Sequence, residues 1–293
     1  MKITDINIRD PYVLLHKGKY YLYGTRSATC WGPADGFDCY VGEDLENWEG
    51  PIEVFHRPQD FFATENFWAP ECYFYQGAFY FITTFGAPGR KKGIYVLKAE
   101  KPEGPYELYG ERLTPEDWTF IDGTLYIEGN TPYLIFSHSF EDDGQADISV
   151  TKLALDLSHA EGEPWVAFPA KAAPWAKPFP WAKQEFGIEG DCYFTDGPSL
   201  RKMGSGNLYM LWSSWGTAGY AVGVARSESD SVMGPWKQVE QPIWPENGGH
   251  GMMFEDKNGD LVFALHYPND KYAERPIFRK MTETDQTLIL EEE

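Results

Sequence analysis

The sequence predicts an all-β protein, a five-bladed β-propeller. Three observations carry that reading: a unit that recurs five times, a shared anchor opening each copy, and the lack of any helix-period segment of useful length. The unit is a small or acidic anchor, a short apolar strand, a polar or glycine turn, and an aromatic-rich return strand. The anchors Asp10, Ala69, Asp122, Asp196 and His250 stand 59, 53, 74 and 54 residues apart. Four strands per roughly 55 residues, five times over, is the arithmetic of a propeller. A hairpin series could also form a sandwich, but a sandwich gives no reason for one anchor at one offset in every copy.

The first copy runs from Asp10-Pro-Tyr-Val-Leu-Leu through a Lys17-Gly18 turn to Tyr20-Tyr-Leu-Tyr. The second opens at Ala69-Pro-Glu-Cys-Tyr-Phe and returns as Ala78-Phe-Tyr-Phe-Ile. The third pairs Asp122-Gly-Thr-Leu-Tyr-Ile with Thr131-Pro-Tyr-Leu-Ile, and the fourth pairs Asp196-Gly-Pro-Ser-Leu-Arg with Asn207-Leu-Tyr-Met-Leu-Trp. The fifth pairs His250-Gly-Met-Met-Phe-Glu with Asp260-Leu-Val-Phe-Ala-Leu. Such short apolar or alternating runs around a glycine turn read as hairpins. Third strands follow at 93–98 and 222–227, each leading to a Gly-Pro-aromatic corner, Gly104-Pro105-Tyr106 and Gly234-Pro235-Trp236; Gly50-Pro51 repeats part of it. Residues 153–159 could form one helical turn at most. The stretch 160–190, rich in Pro, Ala and Trp, reads as an insertion that either roofs a pocket or packs on a blade side. Residues 287–290 are expected to pair with the first or last blade and close the ring. No linker divides the chain, which predicts one domain over 1–293.

Composition narrows the function classes. Of 293 residues, 42% are hydrophobic and 24% charged, which excludes a disordered chain. No apolar run approaches the roughly 18 residues that span a bilayer. A net charge of −20 repels phosphate backbones and anionic lipids, so neither nucleic acid nor membrane is an expected partner. Cys30, Cys39, Cys72 and Cys192 lack metal-ligand spacing and read as free thiols in a reducing compartment. The start has no basic stretch followed by an apolar one, which predicts a cytoplasmic location.

In a propeller the first strand of each blade lines the central channel, so the anchors are neighbours in space. Asp10, Asp122 and Asp196 should therefore converge. Three acids in one small volume repel one another, an arrangement more common at sites than elsewhere. Glycoside hydrolysis uses two carboxyls: a protonated acid for the leaving oxygen, and a carboxylate that attacks or activates water. A third, ionised nearby, can raise the acid's pKa. Eleven Trp suit a substrate with flat sugar faces.

At these residues the sequence resembles glycoside hydrolase family 43. Arg9-Asp10-Pro11 looks like the family's general-base motif, Trp68-Ala69-Pro70-Glu71 like its second-blade signature, and Ile121-Asp122-Gly123 like the motif of the aspartate that tunes the acid. Gly249-His250-Gly251 is similar to the fifth-blade motif. The resemblance implies a five-bladed propeller acting, mostly with inversion, on arabinose-, xylose- or related furanose-containing glycans. It implies Asp10 as the base that activates water, Asp122 as the residue that raises the acid's pKa, and Asp196 as the acid. The family usually has Glu-Gly-Pro where this chain has Asp196-Gly197-Pro198, an acid one methylene shorter. Glu189 and Glu71 are the alternative acids, and a non-catalytic sugar-binding propeller is the alternative function. Trp68, Glu71, Trp31, Trp215 and Arg275 are the expected sugar contacts. No cofactor is needed for the chemistry; a calcium or sodium ion held through water by His250 is the metal expectation. The expected activity is removal of arabinofuranosyl units from plant-derived oligosaccharides, with a β-xylosidase second.

Overall fold

The structure, a computed structural model, describes residues 1–292 and contains five four-stranded antiparallel sheets. Within each sheet the strands follow chain order. The opening strands, Ile8–His16, Glu65–Tyr75, Phe120–Glu128, Asp196–Lys202 and Gly249–Glu255, each touch the next around a ring, and the fifth touches the first. This is the expected five-bladed propeller. Middle strands are covered on both faces, so they read as continuous apolar runs rather than alternating ones. Ala78–Ala87 is buried at every position but its two ends.

Five apolar clusters hold the ring, one in each blade-to-blade interface. The first is aromatic: Phe37, Phe55, Phe67, Phe81 and Phe85 pack with contacting centroids 4.7–6.3 Å apart. Much of the aromatic content is therefore packing between blades.

Two boundaries differ from the sequence reading. Ala160–Pro169 is no insertion but the outer strand of the third blade, paired with Asp147–Leu153. Its prolines obscured it, and an edge strand tolerates proline because one side of its ladder is unpaired. The insertion is 170–195, with only a 3-10 turn at Ala170–Ala172 and a π turn at Ala182–Phe186. Residues 153–159 form no helix. Leu288–Leu290 pairs within the last blade, against Arg275–Glu283.

At the start of each inner strand the pairing register slips, and one residue takes a left-handed conformation: Asp10 (φ 53°), Ala69 (45°), Asp122 (57°), Gly197 (44°) and His250 (52°). Three of these hand their N–H to a hydroxyl on the second strand of the preceding blade. Ala69 donates to Thr25 Oγ1 (2.8 Å), Asp122 to Thr84 Oγ1 (2.9 Å) and His250 to Ser213 Oγ (2.9 Å). Gly197 instead donates to Asp122 Oδ2 (3.4 Å), and the Ser137 hydroxyl at the equivalent position is buried without a partner. Asp10 donates to His266 Nδ1 (3.2 Å).

This geometry corrects the fourth anchor. Gly197, not Asp196, is the equivalent residue, because glycine takes a positive φ at little steric cost. Asp196 thereby occupies the position just before it, matching Arg9, Trp68 and Ile121, and faces Ser213 across the strand pair.

Among the described residues no strand crosses from one chain end into the other's sheet, so side chains close the ring. Glu274 is wholly buried. It accepts from Arg9 Nη1 at Oε1 (2.9 Å) and from the Ser27 hydroxyl at Oε2 (2.7 Å), while Asn7 Nδ2 donates to its backbone oxygen (2.8 Å). Removing one partner of a buried ion pair leaves the other charge unpaired, at a cost of about 3–5 kcal/mol. Glu274→Ala should lower unfolding stability in urea by that amount; a change below about 1 kcal/mol, the range of an exposed pair, contradicts the closing role.

Candidate active site

The residues that precede the left-handed positions, Arg9, Trp68, Ile121 and Asp196, line one pocket of about 650 Å³ at the end of the channel. Trp31 and Trp68 form one wall, edge to face at 5.8 Å. Phe179, Phe186, Phe194 and Trp215 line the pocket too, with Phe179 packed edge-on against Trp215 at 5.4 Å. Trp31 is half exposed, so its ring is open to a ligand. The insertion does both things expected of it. Trp175 is buried against Gly223, where an added Cβ would lie 2.1 Å from its ring, while Phe179, Glu185 and Phe186 reach the pocket.

Asp10, Asp122 and Asp196 do converge, and His250 stands among them. Its Nδ1 lies 3.4 Å from Asp10 Oδ1, 3.4 Å from Asp196 Oδ1 and 3.8 Å from Asp122 Oδ2. Side-chain exposure is 22% for Asp196, 10% for Asp10 and 4% for Asp122, so Asp196 faces the pocket and Asp122 sits behind it. Thr25 Oγ1 donates to Asp10 Oδ2 (2.6 Å), and the Tyr220 hydroxyl donates to Asp196 Oδ2 (2.6 Å). Gly197 is packed on the imidazole: a Cβ there would lie 2.7 Å from the His250 ring.

Burial, then the Asp196 charge, pushes the Asp122 carboxyl well above the usual carboxylate range. Burial also opposes ionisation of Asp196, but hydrogen bonds from Asp122, His250 and Tyr220 outweigh it and hold that carboxyl low. Burial disfavours the charged His250, yet Asp10 and Asp196 hold its pKa above the ordinary imidazole value. Within the pair Asp122–Asp196 the surroundings therefore favour a proton on Asp122 over one on Asp196. The expected upward shift falls on the deeper aspartate, because the shallower one has the donors.

The other expected site residues divide. Trp31, Trp68 and Trp215 line the pocket. Glu71 is buried and not part of the pocket wall, near enough to His250 for their charges to interact; the Tyr73 hydroxyl donates to it, and burial pushes its pKa up to about 7. Glu189 is exposed, paired with Lys183 (2.9 Å), and not among the residues that line the pocket. Arg275 does not turn inward: its Nε donates to Thr4 O (3.0 Å) and its Nη1 to Glu274 O (2.7 Å). Neighbours on an extended chain face opposite ways, and Glu274 takes the inward position. Asp122, Asp196 and His250 offer ligand atoms within 4.8 Å of one another. Carboxylate oxygens suit a hard cation such as calcium. The His250 nitrogen on this side faces carboxylates and holds a proton, so the donor set fits such a cation only through water.

Sequence reasoning missed Tyr220, His266, Asn269 and Glu274. Tyr220 is buried, stacks on Phe194 and His266, and touches Asp196. The signal available was position: His266 occupies in the fifth repeat the place of Thr25, Thr84, Ser137 and Ser213.

A model of glycosyl hydrolases family 43 matches residues 3–289. Among solved structures, an endo-arabinase from Bacteroides thetaiotaomicron VPI-5482 superposes with a TM-score of 0.88 at 32% identity, covering 97% of this chain and 98% of that one. An endo-1,4-beta-xylanase from the same organism gives 0.76 at 27%, covering 98% and 95%. A thermostable family-43 glycoside hydrolase gives 0.80 at 25%, covering 98% and 93%. No protein of curated function matches the chain. With the family model spanning nearly the whole sequence and the pocket built where the five blades meet, the chain belongs to glycoside hydrolase family 43.

Proposed function

We propose that this glycoside hydrolase cleaves arabinose-containing oligosaccharides, with xylose-type chains as the second substrate, and inverts the anomeric centre. The observation that carries the reading is the convergence of Asp10, Asp122 and Asp196 on His250 beneath a pocket walled by exposed aromatic rings. The likeness to an endo-arabinase at 32% identity supports arabinose over xylose.

In this mechanism a sugar ring packs on the Trp31 and Trp68 side, with the leaving oxygen against Asp196. Asp10, held by Thr25, takes a proton from water as the water oxygen attacks the anomeric carbon. Asp196 gives a proton to the departing oxygen. Asp122, in contact with Asp196, is the reserve from which that proton comes. His250, whose pKa the nearby carboxyls raise, offsets negative charge gathered among them. A hydrated calcium or sodium ion at His250 would supply further positive charge, and no step depends on it.

His250 Nδ1 lies 3.4 Å from one oxygen of Asp10 and one of Asp196, so those two oxygens are no more than twice that distance apart. Inversion needs a carboxyl separation of about 6.5–9.5 Å and retention about 5–5.5 Å. The released anomer therefore decides the stereochemistry.

Aryl arabinofuranoside and arabino-oligosaccharides should be hydrolysed with inversion, followed by proton NMR during turnover. Asp10→Asn should lower kcat by about a thousandfold or more, in line with losing a group that acts only in the transition state, while sugar affinity is kept. A retained anomer, or an Asp10→Asn enzyme of normal rate, refutes the assignment. Tyr220→Phe removes a donor to the ionised form of Asp196, which is worth about 1.5–3 kcal/mol, so the apparent pKa of the acid pair should rise by about one unit or more. The alkaline limb of kcat/KM should move up with it; a limb that stays put separates Tyr220 from the acid.

A further inference from the structure

Three of the five blade junctions pass the left-handed residue's N–H to a hydroxyl, but the junction that carries Asp10 passes it to an imidazole. A hydroxyl would complete that contact. An imidazole brings a second nitrogen, and here it is used: His266 Nε2 lies 3.1 Å from Asn269 Oδ1. The ring is wholly buried.

Hydrogen-bond logic settles the protonation. The Asp10 N–H can only donate, so Nδ1 presents its lone pair. A neutral imidazole has one N–H, which then resides on Nε2. A donor at Nε2 requires an acceptor opposite, so the Asn269 atom facing the ring is its oxygen. The groups around the ring are Arg9, Asp10 and His250, with Tyr220 stacked on it at 5.7 Å. Asp10 Oδ1 is 3.4 Å from Nδ1, farther than the N–H that claims the lone pair. Burial and the Arg9 charge outweigh Asp10 and bring the ring's pKa down to about 3, so it stays neutral at working pH.

Asn269 lines the same pocket as Asp196, and its own N–H is fixed by Asn247 O (2.7 Å). With Oδ1 turned to His266, its NH2 group is left over, and among the described residues no acceptor takes it.

We infer that His266 is a positioning residue and Asn269 a sugar-binding one: one ring nitrogen fixes Asp10, and the other turns the Asn269 amide NH2 toward the pocket as a donor to a sugar hydroxyl. This rests on the hydrolase reading above. Fixing the backbone of the water-activating residue acts on kcat, whereas a donor to a bound sugar acts on KM.

Three variants separate the two contacts. Asn269→Asp keeps an oxygen facing His266 and replaces the NH2 by an acceptor, and KM for arabinotriose should rise about tenfold with kcat within about twofold. His266→Gln keeps a donor near Nε2 and loses the acceptor for Asp10, and kcat should fall about tenfold or more with little change in KM. His266→Asn keeps the acceptor and loses the Asn269 contact, and it should resemble Asn269→Asp. Nitrogen-15 NMR of the wild-type imidazoles should show His266 as the neutral Nε2–H form. Wild-type KM in Asn269→Asp, wild-type kcat in His266→Gln, or an Nδ1–H tautomer each overturns the inference. Asn269 is only partly buried and in a loop, so its variant keeps the test readable if the His266 variants unfold. Wild-type protein that cleaves no glycoside defeats the hydrolase reading instead. Calorimetric titration with arabinotriose, wild type against Asn269→Asp, and the NMR tautomer then still decide the contact.

Discussion

One backbone N–H per blade, passed across to the blade before it, is the constraint on which the site depends. A left-handed residue at the start of an inner strand aims its N–H sideways rather than along its own sheet. The acceptor must then come from the neighbouring blade, at Thr25, Thr84, Ser213, His266 or Asp122. Each such contact is worth little alone, about 0.5–1.5 kcal/mol, but leaving the donor buried and unpaired costs more. The same kink brings Asp10, Asp122 and His250 together at the centre and leaves the preceding residue at the pocket. Strain, hydrogen bonding and placement of the reactive groups are therefore one feature.

Electrostatics follows from that placement. Three carboxyls share a small buried volume with one imidazole, and the carboxyls cannot all be ionised together without large repulsion. The structure resolves the conflict by depth. Asp122, least exposed, keeps a proton; Asp196, nearer solvent and supplied with Tyr220 and His250 as donors, gives one up. Two groups of one chemical type, Asp122 and Asp196, are thus driven apart in acidity by their surroundings.

The repeat made the fold legible, and the anchors at Asp10, Asp122 and His250 were legible with it. Periodicity carries that much because each blade is built from consecutive strands. Asp196 was read one position off as an anchor, since Gly197-Pro198 is what matches Asp10-Pro11 and Ala69-Pro70, and Asp196 reaches the pocket from the position before it. Trp31, Trp68 and Trp215 could be placed because they flank repeat positions. Arg275 was not, because only the buried state of Glu274 beside it shows which of the two turns inward. Tyr220 and Asn269 act through contacts 24 residues away or between a strand and a loop, and neither type nor spacing marks them. The outer strand Ala160–Pro169 was hidden by prolines that only an edge position permits.

An apolar cluster packs every junction between blades, the last with the first included, but those two blades are neighbours only in space. Their seam is latched by Glu274 and threaded by the contact from Asp10 to His266. The two ends of the polypeptide are thus held by side-chain and single backbone contacts, with no sheet shared between them. Any gaping at that seam would draw Asp10 away from His250 and His266 while the hydrogen-bonded sheet of every blade stayed intact, so the arrangement at the centre depends on contacts that no single blade contains.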